Sequence, residues 1–256
     1  YTDYLDFDRV KNEAYYFNKG RLVDSINVLT SNKGYYQVNS NVASFKKDVV
    51  VVNPDYNMKS DSLQYNSRTK IIYFRTETTV VDKEGNTFVY EGGEYDTRSQ
   101  QSDIKQGQAE SQSYTLTGNK IKLDDLRKFY TVKGNVVMTH KEENLVIYGD
   151  DAFFDKRKNI AKVFNNAWLT RVTDEGDTLF MSADTLVSID SEDPAKKRLL
   201  AYKNVKIFKK DIQGLADSLE YRQADSIMFL YRAPALWTAG NQMTADTISM
   251  LIENNT

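Results

Sequence analysis

The sequence predicts an all-β fold assembled from a short repeated unit, and two kinds of observation support that prediction. Aromatic residues make up 12% of the 256 residues, with 17 Tyr and 12 Phe, whereas Pro (3) and Gly (12) are scarce. Apolar and polar residues alternate with a period of two in segments such as 62–66, 205–209 and 215–221. Aromatic and β-branched residues suit the pleated surface of a sheet, and no stretch of twelve or more residues carries a helical apolar stripe.

Composition excludes several classes of protein and site. The 34 basic and 36 acidic residues nearly cancel, so we expect no nucleic-acid partner. The absence of cysteine removes thiolate nucleophiles and thiolate metal sites, the single histidine leaves few histidine sites, and we expect no cofactor and no metal. The longest apolar runs, 49–52 and 227–231, are far shorter than the ~20 residues that span a bilayer.

A repeated strand motif divides the chain into units. The segment 217–221 (DSLEY) matches 61–65 (DSLQY), and shorter or looser copies begin at residues 3, 151, 184 and 246. Degenerate copies can be placed at Asn32, Glu94 and Asn119. The nine anchors lie 25 to 33 residues apart, which predicts about nine repeats of about thirty residues.

A second element recurs within the unit. A turn-like Asn or Gly precedes a short apolar pair at 47–51, 134–138, 165–169 and 203–207. Each unit is therefore interpreted as a strand, a polar turn, a second strand, a short corner and a third strand, with strands of 5 to 8 residues. The charged segment 122–129 is interpreted as a connection between strands. Stacked units of this kind bury one another's apolar faces.

These repeats carry a family resemblance. The Gly-Asn-Val-Val-Met segment at 134–138 and the Gly-Leu-Ala-Asp-Ser-Leu-Glu-Tyr strand at 214–221 resemble the OstA-like (organic solvent tolerance) family, over essentially the whole chain. The family includes the periplasmic bridge protein of lipopolysaccharide transport and the N-terminal periplasmic domain of the outer-membrane lipopolysaccharide assembly protein. The resemblance implies an elongated, V-shaped β-jellyroll of two stacked antiparallel sheets. Residues 1–256 would then form a single repeat domain, part of a longer chain.

The resemblance also implies a function and a set of partners. It points to a non-enzymatic protein of the periplasm, associated with the outer membrane, that carries lipopolysaccharide toward that membrane. The implied partners are lipid A acyl chains, other lipopolysaccharide-transport proteins and further copies of the chain joined head to tail. Repeat strands lie near both ends of the sequence without a recognisable cap, and open strand ends favour such edge-to-edge association.

The predicted lipid site is an apolar groove lined by inward-facing residues of the repeats. The candidate residues are Leu63, Val136, Phe153, Leu169, Leu186, Val205, Ile207, Leu219 and Ile248. The same residues could instead fill the closed core of an ordinary β-sandwich. Their spacing does not distinguish an open groove from a sealed core, and the resemblance alone favours the groove.

Polar candidates point to structural roles. The repeated aspartates at 61, 151, 184, 217 and 246 are expected to cap turns rather than bind calcium, because the glycine-rich repeat of calcium β-rolls is missing. Neighbouring carboxylates at 124–125 and 150–151 point to opposite faces of a strand and are expected to be solvated. His140 is expected in an exposed turn.

Two rival functions remain open. Basic clusters at 156–158, 196–198 and 209–210 could contact lipid phosphates or be ordinary solvated loops. A β-helical polysaccharide-active enzyme would need clustered carboxylates and an aromatic subsite on one face. A structural β-solenoid of a surface protein would have a sealed core and no ligand.

Overall fold

The computed structural model confirms the all-β prediction. It describes residues 1–24, 26–110, 114–173 and 176–252, where the sole helical element is a 3₁₀ turn at Pro194–Lys196. The strands in the first half of the chain are β1 (Asp6–Asp8), β2 (Glu13–Tyr16), β3 (Gly20–Asp24), β4 (Asn27–Ser31), β5 (Lys33–Gln37), β6 (Val42–Val52), β7 (Tyr56–Asn66), β8 (Ile71–Phe74), β9 (Thr78–Asp82), β10 (Thr87–Asp96), β11 (Gln101–Glu110), β12 (Tyr114–Gly118) and β13 (Lys120–Asp124). Those in the second half are β14 (Phe129–His140), β15 (Leu145–Asp155), β16 (Ile160–Val172), β17 (Thr178–Ile189), β18 (Arg198–Lys209), β19 (Ile212–Arg222), β20 (Ile227–Tyr231), β21 (Ala235–Thr238), β22 (Asn241–Thr244) and β23 (Thr247–Leu251).

The chain divides into two compact units. The first holds the described residues up to 110 together with Asn119–Arg127, and the second holds residues 114–118 and the described residues from Lys128 onwards. All the strand pairs described within each unit are antiparallel. The repeat domain over residues 1–256 and its count of nine repeats stay predictions.

Each unit consists of two layers that share their longest strands. In the second unit, layer A has the order β14-β15-β16-β17-β18-β19-β20-β23 and layer B the order β12-β14-β15-β16-β17-β18-β19-β21-β22. Strands β14 to β19 contribute one half to each layer, because each register shifts near the middle. These strands have 11 to 13 residues, longer than the predicted 5 to 8, because they continue through the corner.

The first unit is built in the same way. Its layer A has the order β1-β2-β5-β6-β7-β8-β10-β11-β13, and its layer B has the order β3-β4-β6-β7-β9-β10-β11. The two layers face each other, since the rings of Phe74 in β8 and Tyr90 in β10 lie 5.3 Å apart and both are buried.

The corner is made by two successive residues with left-handed backbone. Such corner pairs lie at 47–48, 134–135, 165–166, 203–204 and 232–233, with φ between 52° and 72°. Asn and Gly tolerate this conformation best. For that reason the Asn and Gly residues at 134–135, 165–166 and 203–204 indicated the corners in the sequence. The predicted corners are confirmed at all four positions named from the sequence, and each coincides with a shift in strand register.

Turns of five residues, counted from the last residue of the preceding strand, reverse the chain at the ends of layer A that lie far from the corner. Each turn ends on a residue with left-handed φ, at Asn12, Asn41, Lys70, Gln100, Lys128, Asn159 and Ser226. In several turns the first side chain accepts backbone N–H bonds from residues two and three positions on, as Asp155 does from Arg157 and Lys158. An Asx-type turn of this kind is a stable way to reverse an antiparallel strand.

Close packing at the corner requires residues without a side chain. A Cβ atom at Gly149 would lie 2.5 Å from Cγ1 of Val163, and one at Gly118 would lie 2.2 Å from Cγ1 of Val132. Both glycines belong to layer B and both valines to layer A, so the absence of a Cβ lets the layers approach each other at the corner.

Candidate functional site

The interior of the second unit is lined by two continuous apolar rows. The layer A row crosses eight strands and consists of Val132, Ala152, Val163, Leu186, Ala201, Leu219, Leu230 and Ile248. The layer B row consists of Met138, Ile147, Leu169, Met181, Ile207, Gly214, Leu236 and Met243. Side chains of one row are in register because the strands pair residue by residue, so each layer presents an unbroken apolar stripe.

Eight of the nine predicted groove residues lie on inward faces. Leu63 lies in the corresponding row of the first unit, paired with Phe45 and Phe74. Val136, Leu169, Leu186, Val205, Ile207 and Leu219 lie in the second unit and are exposed by 1–4%. Ile248 ends the layer A row on β23 and is half-buried. That these residues contact lipid stays a prediction.

Phe153 points the opposite way. Its strand neighbour Ala152 holds the inward position opposite Val163, while Phe153 stacks on Phe129 with ring centroids 5.2 Å apart on the outward face. The nitrogen of Lys162 lies 5.8 Å from the Phe153 ring. The sequence alignment of Asp151-Ala152-Phe153 with the Asp-x-Leu motif was therefore one residue out of phase, and in a strand such a slip exchanges the two faces.

A small cleft lies between layers A and B at the edge of the second unit, where the two layers end opposite the corner. We call this edge the mouth. Its apolar lining comes from Leu145, Leu169 and Met181 in layer B and from Leu199 and Met228 in layer A. Charged and polar side chains surround them, and the cavity has a volume of ≈ 70 Å³. The mouth thus lies between the apolar interior and solvent, and its rim is polar.

Ion pairs lie on the outward face of layer A next to the mouth. Glu220 receives hydrogen bonds from Arg222 at 2.8 Å and from the Tyr231 hydroxyl at 3.1 Å, and Arg198 lies 3.2 Å away. These contacts, the Arg222 bond first, hold the pKa of the Glu220 carboxyl below its usual range. Lys197 pairs with Asp190 at 3.3 Å. The basic cluster at 196–198 therefore has carboxylate partners within the chain.

Four of the five repeated aspartates do not cap turns as expected, and the fifth, Asp246, lies in the connection between β22 and β23. Asp61, Asp151, Asp184 and Asp217 lie inside strands β7, β15, β17 and β19. Asp151 and Asp184 accept side-chain bonds from corner asparagines, from Asn165 at 2.6 Å and from Asn204 at 3.0 Å. Their role is to hold the corner, because the amide and carboxylate side chains face each other where the register shifts.

The remaining polar candidates form no reactive cluster. His140 is 10% exposed at the end of β14, where its Nδ1 accepts bonds from the backbone N–H groups of Glu142 and Glu143, so the expectation of an exposed turn histidine was wrong. Asp150 and Asp151 accept bonds from different asparagines, Asn166 and Asn165. Among the described residues, no three His, Asp or Glu side chains are grouped to hold a metal ion, and no helix is long and apolar enough to cross a membrane.

The mouth itself was not predicted from the sequence. It brings together Tyr114, Glu143, Arg171, Ser188, Tyr221 and Gln223, which come from five segments of the chain, because Tyr221 and Gln223 both lie at the end of β19. Each lies at a strand end or in the adjoining turn, and no local motif distinguishes these positions.

Comparison with known proteins found one matching family and similar solved structures. The family model of the OstA-like proteins matches residues 1–61 and 111–249, which make up most of the chain. Among solved structures, LptH of Pseudomonas aeruginosa, the LptA-homologous periplasmic component of the lipopolysaccharide transport device, matches with 15% identity and a TM-score of 0.39. The match covers 44% of this chain and 77% of LptH. No curated protein matched the chain.

Proposed function

Because the chain belongs to the OstA-like family, we propose that it binds lipopolysaccharide in the periplasm and carries it toward the outer membrane without catalysing a reaction. The observation that supports this most strongly is the pair of unbroken apolar rows facing each other in the second unit. Acyl chains laid between the layers would contact the predicted residues Leu169, Leu186, Val205, Ile207 and Leu219.

Burial of hydrocarbon supplies the affinity. Each methylene removed from water contributes about 0.8 kcal/mol, so an acyl chain with about ten buried methylenes gains about 8 kcal/mol before the cost of its ordering. Neighbouring strands present similar apolar side chains in the same row, so a chain that moves along the row exchanges one apolar contact for another. The direction of transport must then come from a partner protein that consumes energy.

The space between the layers at the mouth is too small to enclose an acyl chain in the resting structure. A cavity of ≈ 70 Å³ is far smaller than the ~300–1,000 Å³ of sites that enclose a drug-sized ligand. Lipid binding therefore requires layers A and B to separate at the mouth. The same closure favours the rival of a structural β-solenoid, in which the core stays sealed.

The exposed edge of layer B supports a proposal about how chains assemble. All four residues of β22 are exposed, and its described partner is β21 on one side. An exposed strand edge is a template for another strand. We propose that copies of the chain, or other lipopolysaccharide-transport proteins, add strands there and extend the apolar rows at the outer-membrane side of the periplasm.

Native mass spectrometry of the chain with purified lipopolysaccharide tests the proposal. Saturable binding is expected for the wild type and for Leu200→Asp, whose side chain points outward, and loss of binding is expected for Leu199→Asp in the mouth. The two leucines are neighbours on β18 and both half-buried, so folding costs are comparable and circular dichroism checks them. A folded wild type that binds no lipopolysaccharide at micromolar concentration would favour the structural solenoid.

A further inference from the structure

The mouth of the second unit is closed by contacts that reach from one layer to the other. The Gln223 amide nitrogen, beyond the end of β19 in layer A, donates a 2.9 Å hydrogen bond to Glu143 Oε1, in the turn that ends the β14 half of layer B. These residues are 80 positions apart in the chain. The bond therefore joins the two edges of the mouth and serves no local turn.

Two further contacts span the same gap. The Arg171 guanidinium on β16 in layer B lies 5.9 Å from the ring centroid of Tyr221 on β19 in layer A. The Tyr114 phenol on β12 in layer B is hydrogen-bonded to Ser188 on β17 in layer A. Burial raises the pKa of the Tyr114 phenol, and the contact with Ser188 partly offsets that shift. We call the three contacts the clasp.

The side chains that lie beneath the clasp are apolar. Directly below it lie Leu145, Leu169 and Met181 of layer B, opposite Leu199 and Met228 of layer A. Leu169 and Met181 belong to the middle of the layer B row, so an opened clasp exposes the central part of that stripe. Each clasp contact is a single polar or cation–π interaction at or near the surface, and interactions of this kind are individually weak. Separation of the layers at this edge would break these contacts and the apolar packing beneath them, but would leave the strand pairing within each layer intact.

We infer that the mouth is a side entrance through which acyl chains of an amphiphile enter the second unit, and that the clasp is the gate that must open first. This inference rests on the proposed lipid-binding function and adds the route of entry to it. The rim suits a charged head group that stays outside, because the basic side chains of Arg171, Lys197 and Arg198 and the acidic side chains of Glu143 and Asp190 surround the apolar lining. An acyl chain could instead enter at the unpaired edge of an outermost strand and move along the rows. That route would not require the clasp to open.

The cysteine-free chain allows a direct test. Glu143→Cys and Gln223→Cys together place two thiols across the mouth, where a short bis-methanethiosulfonate reagent can join them and dithiothreitol can release them. The matched control is Val146→Cys with Thr170→Cys, two directly opposed residues on the outward face of layer B, joined by the same reagent. The measurement is the rate at which each form takes up fluorescent lipopolysaccharide, with bound stoichiometry checked by native mass spectrometry.

The side entrance predicts that the joined clasp slows uptake at least tenfold, that reduction restores the rate, and that the joined control takes up lipid as the wild type does. Tyr114→Phe combined with Gln223→Ala removes two clasp contacts and should accelerate uptake several-fold. Equal uptake by the joined clasp and the joined control would overturn the side entrance while leaving lipid binding established. Failure of the unmodified wild type to take up lipid would overturn both the entrance and the proposed function.

Discussion

Replacement of Leu186 by Ala tests whether the interior of the second unit is closed. Leu186 is 1% exposed and lies in the layer A row between Val163 and Ala201. Buried Leu→Ala changes cost about 2–5 kcal/mol, because the transfer energy of the lost carbons adds to that of the cavity left behind. Paired strands on both sides prevent collapse of the site, so we expect a loss of about 3 kcal/mol in the free energy of unfolding.

The assay exploits the placement of tryptophan. Both tryptophans, Trp168 and Trp237, belong to the second unit, so their fluorescence follows unfolding of that unit in urea. With an m-value of about 2 kcal/mol/M, a loss of about 3 kcal/mol moves the midpoint by about 1.5 M at unchanged m. Val187→Ala, the outward neighbour on β17, is the matched control and should cost no more than about 1 kcal/mol. A Leu186→Ala cost as small as that of the control would refute the closed interior and indicate an open groove in the resting state.

Three further predictions concern the corner and the ion pairs of layer A. Gly149→Ala should cost about 1–3 kcal/mol by overpacking against Val163, and the double variant with Val163→Ala should recover part of that loss in the same urea assay. Asn204→Ala should cost about 1–2 kcal/mol, because alanine tolerates the left-handed φ of 53° poorly and cannot donate to the carboxylate opposite, whereas Asn204→Gly should cost less. The pKa of Glu220 is lowered in the folded state, chiefly by the hydrogen bond from Arg222, so its contribution is complete above the ordinary pKa of 4.5 and is lost as the pH falls through the lowered value. Thermal unfolding between about pH 6 and about pH 3 should therefore depend less on pH in Glu220→Gln than in the wild type, and identical pH profiles would contradict the assignment.

The features that the sequence predicted correctly are those set by local chemistry. Period-two alternation and the scarcity of Pro and Gly identified an all-β chain, since strand formation depends on the pattern of side chains along the strand. The corners at 47–48, 134–135, 165–166 and 203–204 were found because Asn, Gly and Asp are enriched where φ is positive.

The predictions that were wrong or missing concern features that depend on how strands pair and how the layers fold onto each other. Two consecutive aspartates, Asp150 and Asp151, offered two alignments of the motif, and the wrong choice placed Phe153 inside instead of Ala152. Strand lengths were underestimated because a corner that bends a strand does not end it. The residues of the clasp could not be found from sequence, since Tyr114, Glu143 and Gln223 meet only after the layers have folded onto each other.

Photo-crosslinking from adjacent positions of one strand tests the central claim most directly. Benzoylphenylalanine placed at Leu199 looks into the mouth between the layers, whereas the same residue at Leu200 looks outward from layer A. The account predicts a lipopolysaccharide adduct on irradiation of the Leu199 variant and none for the Leu200 variant. Adducts of equal yield at both positions, or an adduct at Leu200 alone, would contradict lipid binding between the two layers.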